Sequence, residues 1–289
     1  MQNQISFATW EMKKELVHLW QVCFDEEEKP TAFFFQNAFL PEHCLVTQIH
    51  GKVAAMLHML PGAVWDGRQV QQAHYIYGAG TFPEYRGHGV MAQLLESAAE
   101  YGKKRGDKAS FLLPANESLY RYYQKSGYHY GFSIKKASLS RAELTALAGQ
   151  VVTVAGVDAC RIAEQRTNRM RQISGSVLWN EAHIAYASGI NRVYGGRLIA
   201  AETGNHFGYA LCRMEKEGVC EITELIAQED TFPLLAGRIL EAFSAMEYHF
   251  RMPVDSTWLD GTISRFGMIK PLDNNLAIHP DAYLGLTLD

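Results

Sequence analysis

The sequence predicts an α/β chain of the α+β kind, built from two similar halves that each hold a twisted mixed sheet flanked by helices. A strand, a glycine-rich turn and an amphipathic helix follow one another within residues 75–105. Three strands and then a helix occur between residues 43 and 105, and the same order returns between residues 196 and 246. At 289 residues and 47% hydrophobic content, the chain can fill two cores of ordinary size.

The helix after the glycine-rich turn is predicted by its periodicity. Its apolar residues fall on one face and its polar residues on the other, the apolar set being Met91, Leu94, Leu95, Ala98 and Ala99. Cationic side chains fill the last turn and Gly106 follows, as the helix dipole and a left-handed cap favour. The turn therefore joins a strand to a helix.

The turn itself has the features of an anion site. Gly87 and Gly89 give backbone freedom, Arg86 gives a fixed positive charge, and the helix start offers amide N–H groups without partners. These features suit a pyrophosphate. An ordinary strand-to-helix connection is the alternative, because short glycine motifs also match by chance.

Two sequence blocks resemble the GNAT superfamily of acetyltransferases. Residues 81–90, Thr-Phe-Pro-Glu-Tyr-Arg-Gly-His-Gly-Val, look like its motif A, with Arg86 and Gly89 matching and Met91 where the family has a small residue. After a predicted strand at residues 108–114, residues 116–127 read Asn-x-x-Leu-x-x-Tyr-Tyr-x-Lys-x-Gly, similar to the next block of the family. The whole chain is similar to the multi-domain acetyltransferases of the enhanced-intracellular-survival type.

The resemblance implies that acetyl-CoA is the co-substrate and that residues 1–140 are a catalytic GNAT domain. Residues 141–289 would then be a degenerate GNAT-like domain. Backbone N–H groups at residues 79–82 would stabilise the oxyanion, and Gly80 would allow a bulge there. The residues implied in binding acetyl-CoA are Gly80, Thr81, Phe82, Arg86, Gly87, His88, Gly89, Val90, Met91 and Asn116.

Three residues are candidates for the catalytic groups. The alignment places Tyr123 at the CoA sulfur as general acid, whereas its own neighbourhood of tyrosines is also typical of a packing cluster. His74, on a central strand, is a candidate base or else a structural histidine. In the resembling multi-domain group the terminal carboxylate can reach the active site, which adds Asp289 as a third candidate.

The remaining elements of the first half follow in order. Helices are predicted at residues 11–24 and from Thr31 onward, with the acidic run of residues 25–28 as a solvated loop or as a cation-attracting lip over the acceptor site. Strands are predicted at residues 43–48, 52–59 and 69–78, with Gly51 and Asp66-Gly67 as turns. Residues 109–113 continue a β-α-β crossover, and residues 130–139 form the last strand.

The second half has no equivalent anion site. A connection at residues 140–158 with one helical turn at residues 142–147 leads to a predicted helix at residues 159–173. Strands at residues 196–201, 207–214 and 220–227 precede a helix at residues 232–246. The turn between the last two, Gln228-Glu-Asp-Thr231, lacks glycine and carries two carboxylates, so this half should not bind CoA.

The composition of the chain limits the kinds of partner that it is expected to bind. With 27 basic and 31 acidic residues the net charge is −4, which argues against nucleic acid. Five scattered cysteines without a Cys-x-x-Cys pair indicate reduced thiols. Residues 1–15 contain no apolar core of signal-peptide length, and no run approaches the roughly 18 apolar residues of a membrane span. We therefore expect a cytoplasmic protein with no membrane partner, and the absence of metal-binding motifs predicts no metal.

The sequence thus predicts acetyl-CoA-dependent N-acetylation of a small-molecule or protein amine. An aminoacyl- or peptidyl-transferase on a double GNAT fold is one alternative, although it would need a basic face for charged tRNA. A non-catalytic acyl-CoA sensor is another. A homo-oligomer is compatible with either reading.

Overall fold

The computed structural model describes residues 3–150, 154, 157–273 and 276–288. The chain divides into two compact units. The first comprises Met1–Tyr130 and Gly267–Ala277, and the second comprises Gly131–Phe266 and Ile278–Asp289. No helix among the described residues is both long and apolar enough to cross a membrane.

The first unit is built on a mixed sheet. Its strands are β1 (Asn3–Phe7), β2 (Cys44–Ile49), β3 (Lys52–Trp65), β4 (Val70–Thr81), β5 (Ala109–Leu112), β6 (His129–Tyr130) and β14 (Met268–Pro271). They run in the order β1-β2-β3-β4-β5-β14-β6. Only the β4–β5 pair is parallel among the registered pairs of this unit, as a crossover through a helix requires.

Four α-helices accompany this sheet: α1 (Lys13–Phe24), α2 (Glu28–Asn37), α3 (Val90–Arg105) and α4 (Glu117–Gln124). The predicted apolar face of α3 is confirmed, since Leu94, Leu95 and Ala98 are fully buried against the sheet. Gly106 ends α3 with φ +95°, in the left-handed conformation expected of this cap. The predicted turns at Gly51 and Asp66-Gly67 also lie between paired strands.

The second unit repeats this arrangement. Its strands are β7 (Ser133–Ser140), β8 (Val177–Leu178), β9 (Arg197–Thr203), β10 (His206–Lys216), β11 (Val219–Ile226), β12 (Glu247–Met252) and β13 (Thr262–Arg265), and its helices are α5 (Arg141–Leu147), α6 (Ala159–Met170), α7 (Glu181–Val193) and α8 (Phe232–Ala242). The sheet order is β13-β7-β12-β11-β10-β9. Two antiparallel pairs lead to a parallel β11–β12 pair across α8, as β2, β3, β4, α3 and β5 do in the first unit.

The boundary between the units differs from the expected division at residue 140. The strand predicted to end the first domain, β7, pairs with β12 and β13 of the second sheet. Its place beside β5 is taken by β14, in which Met268 and Ile269 are fully buried. Strand register is selected by the buried face that a strand can share with its neighbours, so adjacency in sequence did not identify the partner sheet.

Candidate functional site

The end of β4 carries a β-bulge. Met56 pairs with Gly80 and His58 pairs with Tyr77, so Gly78 and Ala79 together lie opposite the single residue Leu57. Gly78 has φ +56°, and a Cβ on it would lie 2.2 Å from the Trp20 ring. The bulge was predicted at Gly80, but the structure places it at the preceding pair. The reason is the contact with Trp20, which only a glycine at position 78 allows.

Strand β4 extends well beyond its parallel neighbour. The ladder to β5 joins Ala73, His74 and Tyr75 to residues 109–111, and β4 then continues to Thr81. From residue 76 onward, the β4 edge that faces β5 lies outside this ladder, while the other edge still pairs with β3. An extended ligand with amide groups could therefore align along this edge of β4.

The glycine-rich turn lies between β4 and α3. Gly87 and Gly89 have φ +81° and +74°, and a Cβ on either would meet nothing within 4 Å. Gly89 is the N-cap of α3 and gives no side-chain cap, so the first amide N–H groups of α3 point into the turn. Val90 is buried and Met91 packs against the core, which fixes the helix start. The turn combines an open backbone with the positive end of a helix dipole.

The side chains of Arg86 and His88 in this turn are exposed. Arg86 donates through Nε to the Thr81 carbonyl at 2.9 Å, and His88 is exposed one residue before Gly89. Thr81 and Phe82 are half-buried, and the Phe82 N–H donates to the Ala54 carbonyl at 3.0 Å. The structure thus brings together the predicted residues from Gly80 to Met91 at one end of the sheet.

Helix α4 positions the two residues of the second sequence block. Asn116 is its N-cap, and its side-chain oxygen accepts from the Leu119 N–H at 3.2 Å and from the Ser118 hydroxyl at 2.6 Å. Tyr123 is 9% exposed and lies in the core cluster that includes Leu94 and Leu95. Its hydroxyl has no hydrogen-bond partner among the described residues. Burial raises the pKa of Tyr123 to about 12, so the hydroxyl remains protonated.

The two candidate bases are placed very differently. His74 is 0% exposed, its Nδ1 lies 2.6 Å from Asp107, and a Cβ on Gly102 of α3 would meet its ring at 2.6 Å. Burial lowers the pKa of His74 against the opposing effect of Asp107. With no exposed surface, His74 is placed as a structural residue inside the first unit. Asp289 lies outside the described residues.

An aromatic cluster that the sequence did not reveal surrounds His58 on β3. The Trp20 ring stacks on Phe34 at 4.7 Å, and both rings contact the fully buried imidazole, as do Phe35 and Phe39. Burial lowers the pKa of His58 to about 3, against the hydrogen bond to the Tyr77 carbonyl. The apolar stripe of α1 predicted a buried face, but it did not identify the partners of that face.

The acidic run after α1 is only partly a solvated loop. Asp25 ends α1 with φ +49°, and Glu27 and Glu28 are exposed. Glu26 is half-buried and accepts from the Trp20 indole N–H at 2.5 Å. One carboxylate is therefore tied to the aromatic cluster beside the bulge, while the others face solvent.

The corresponding turn of the second unit, residues 228–231, forms hydrogen bonds among its own residues and with the start of α8. The Thr231 hydroxyl accepts from the Gln228 N–H at 2.8 Å, and the N–H groups of Thr231 and Phe232 donate to the Gln228 carbonyl. Thr231 is fully buried, and Pro233 in the first turn of α8 has no N–H to offer. The first two residues of α8 therefore offer no N–H to a ligand.

Comparison with known proteins agrees with this geometry. A family model described as an acetyltransferase (GNAT) domain matches residues 4–131. No curated protein matches the chain. A GCN5-related N-acetyltransferase from Anabaena variabilis is similar in structure, with a TM-score of 0.74 at 16% identity, over 94% of this chain and 73% of that one.

Two further solved structures are similar over both units. A GCN5-related N-acetyltransferase from Kribbella flavida has a TM-score of 0.69 at 19% identity, covering 94% of this chain and 71% of its own. Eis1 from Mycobacterium abscessus has a TM-score of 0.68 at 12% identity, covering 93% and 74%. These likenesses show the fold, and they confirm the predicted tandem arrangement.

Proposed function

Because residues 4–131 are an acetyltransferase domain of the GNAT superfamily, we propose that the chain transfers the acetyl group of acetyl-CoA to an amine. The observation that carries the proposal is the turn of residues 86–89, which opens α3 with two left-handed glycines and no side-chain cap. It follows directly on a bulged strand that extends past its parallel neighbour. A turn suited to an anion and an open strand edge thus lie at the same end of β4.

The residues of this strand end suit the parts of acetyl-CoA. The amides of Gly87 to Met91, the Arg86 guanidinium and the His88 imidazole would hold the pyrophosphate. The edge of β4 beyond Tyr75 would bind the amide-containing arm of the co-substrate. Asn116 would act through its place at the start of α4, because its side-chain oxygen already serves as the helix cap.

The chemistry is direct attack by a neutral amine on the thioester carbon. The C–N bond forms as the carbonyl oxygen becomes an oxyanion, which backbone N–H groups at the β4 bulge would stabilise. The C–S bond then breaks, the sulfur leaves with the electron pair, and the ammonium nitrogen loses a proton. Backbone alone can supply the oxyanion donors, so no side chain is required for that step.

Tyr123 would assist the departure of the sulfur. A phenol with a pKa of about 12 stays protonated, and complete transfer to a thiolate of ordinary pKa, about 8.5, is unfavourable. A hydrogen bond from the Tyr123 hydroxyl to the developing thiolate therefore suits this environment better than full proton transfer. His74 is too deeply buried to serve as base, and the Asp289 carboxylate remains the candidate that the family resemblance supplies.

The acceptor would be a cationic amine in its resting form, small or protein-borne. Exposed carboxylates at Asp25, Glu27 and Glu28 follow α1, whose last turn packs against the end of β4. Such charges would raise the local concentration of ammonium ions. The net charge of −4 agrees with a cationic acceptor rather than with nucleic acid.

The test is release of CoA thiol from acetyl-CoA across a panel of amines: monoamines, polyamines, aminoglycosides and lysine peptides. We expect at least one amine to accelerate release in proportion to enzyme, and we expect Gly89→Asp, the control, to release CoA about tenfold or more slowly at acetyl-CoA concentrations below the KM. Binding of acetyl-CoA without acceleration by any amine would favour the sensor. Acceleration only by charged tRNA would favour the aminoacyl-transferase.

A further inference from the structure

The last turn of α1 is fitted closely against the end of β4. A Cβ on Gly80 would lie 3.1 Å from the Cys23 sulfur and 3.7 Å from the Phe24 ring. Two residues earlier, a Cβ on Gly78 would overlap the Trp20 ring. Glycines on β4 thus leave room for this turn of α1, and they bring the Cys23 thiol to the carbonyl edge of the strand.

The Cys23 thiol joins a small polar cluster with Thr81 and Arg86. The thiol donates to the Thr81 carbonyl, with a sulfur-to-oxygen distance of 3.3 Å. The same carbonyl accepts from Arg86 Nε at 2.9 Å, and Arg86 Nη2 donates to the Cys23 sulfur at 3.8 Å. The thiol therefore acts as donor to the carbonyl and as acceptor from the guanidinium, which its chemistry permits.

We propose that Cys23 is a positioning residue that, together with the Thr81 carbonyl, holds the Arg86 guanidinium ready for the pyrophosphate of acetyl-CoA. The inference rests on the proposed function. Arg86 is exposed, and a free arginine side chain loses considerable rotamer entropy when a ligand orders it. Contacts made before the ligand arrives reduce that loss. Further N–H groups of the planar guanidinium stay available for phosphate oxygens.

The sulfur atom itself suits this role. A side chain at position 23 must both donate and accept, and it must fill the space left by the missing Cβ of Gly80. Serine keeps both polar functions, whereas valine keeps most of the volume and loses both. Alanine loses the polarity and the volume together. These substitutions separate orientation of Arg86 from simple packing.

The experiment compares acetyl-CoA binding and steady-state kinetics for Cys23→Ser, Cys23→Val, Arg86→Ala and the Cys23→Val/Arg86→Ala double variant. Cys160→Val, at an exposed cysteine of the second unit, is the thiol control. We expect Cys23→Val to raise the acetyl-CoA Kd and KM by about two- to tenfold, the range for ordering one flexible side chain, with kcat and acceptor KM unchanged. Cys23→Ser should stay close to wild type.

The double variant decides whether Cys23 acts through Arg86. In the Arg86→Ala background, Cys23→Val should have almost no further effect on acetyl-CoA binding, because the group that it positions is gone. An equal effect in both backgrounds would assign Cys23 to packing and overturn the proposal. So would a Cys23→Ser variant as weak as Cys23→Val.

Two outcomes keep this test separate from the proposed function. If the wild-type chain fails to bind acetyl-CoA at all, the proposed function and this inference both fail. If the wild-type chain binds acetyl-CoA and the effects of Cys23→Val and Arg86→Ala are additive, only the proposed role of Cys23 is wrong. Should Cys23→Val melt below the assay temperature, Cys23→Ala replaces it in the same cycle.

Discussion

The strand-to-helix turns of the two units occupy the same place in the same topology and use it in opposite ways. In the first unit, Gly89 leaves the start of α3 without a side-chain cap. In the second unit, α8 also lacks a side-chain cap, but its Phe232 N–H donates to the Gln228 carbonyl and Pro233 has no N–H. Glu229 and Asp230 add negative charge there, and Asp230 is paired with His206 at 2.7 Å. Whether such a turn can accept an anion should therefore depend on its residues and not on the fold that the two units share.

Two buried polar side chains, one in each unit, differ in how fully they are hydrogen-bonded. Arg166, fully buried in the second unit, donates to Glu224 and to the Leu284 and Val177 carbonyls, and Tyr209 donates to the same carboxylate. His58 in the first unit is equally buried, but its Nε2 has no partner in the described part of the chain. Arg166 is thus held by several partners inside the second unit.

The largest effect on stability should come from breaking the buried ion pair between Arg166 and Glu224 in the second unit. Arg166→Met leaves Glu224 buried without its cation, and loss of one partner of a buried pair typically costs about 3–5 kcal/mol. Urea unfolding of the full chain should show this loss. Arg161→Met, which removes an ion pair to Glu202 whose side chain is 39% exposed, should cost about 1 kcal/mol or less. Equal losses for both variants would contradict the structural reading of Arg166.

The next effect concerns catalysis in the first unit. Tyr123→Phe keeps the ring and deletes the hydroxyl, so kcat should fall by about 10²- to 10³-fold while the acetyl-CoA KM changes little. Tyr122→Phe is the matched control, because that neighbouring ring is only half-buried. If the kcat of Tyr123→Phe stayed within about twofold of the wild-type value, Tyr123 would have a packing role only. That result would favour the non-catalytic acyl-CoA sensor.

The buried histidine predicts a pH dependence of stability. The folded-state pKa of His58, about 3, lies below its ordinary value of 6.5, so the unfolded chain binds the extra proton between these values. The stabilisation is complete above pH 6.5 and is lost as the pH falls toward 3. Between pH 7 and 5 this amounts to about 2 kcal/mol.

His58→Leu should remove that component from the pH dependence of urea unfolding. Between pH 7 and 5, the wild-type chain should therefore lose about 2 kcal/mol more of its free energy of unfolding than the His58→Leu variant loses. An unchanged pH dependence would mean that His58 gains a partner or a proton in the folded state.

The glycine turn can be tested by substitution at Gly89. Gly89→Asp adds a side chain and a negative charge where backbone should approach the pyrophosphate, so the acetyl-CoA Kd should rise by about tenfold or more. Gly106→Asp is the control, because Gly106 is also left-handed, with φ +95°, and is also open. Calorimetry should separate the two. Similar weakening by both would point to backbone strain rather than to the anion site.

Much of the first unit was predictable because its signals are local. The α3 periodicity, the Gly106 cap and the Asp66-Gly67 turn each depend on a few neighbouring residues, and each is present. Helix α7 was missed although Asn180 caps it and Ile184, Ala187 and Ile190 form its buried face. Both the capping residue and the apolar spacing of this helix are visible in the sequence.

What the sequence could not predict depends on partners far away along the chain. The bulge at Gly78 follows from a ring on α1, and the burial of His74 follows from Asp107 and Gly102. The exchange of β7 and β14 between the sheets follows from long-range strand pairing. None of these contacts produces a periodic pattern in the sequence. Local sequence patterns therefore predicted which residues lie near the site, but not which side chains surround them.

We expect that only the turn of the first unit binds acetyl-CoA. Calorimetric titration of the wild-type chain, Arg86→Ala, Gly89→Asp and Glu229→Gln measures the number of sites directly. We predict a stoichiometry near one for the wild type and for Glu229→Gln, and weakening of that single site, with no second site of wild-type affinity left, when Arg86 or Gly89 is replaced. Two sites per chain, or binding of wild-type affinity in both Arg86→Ala and Gly89→Asp, would contradict the account.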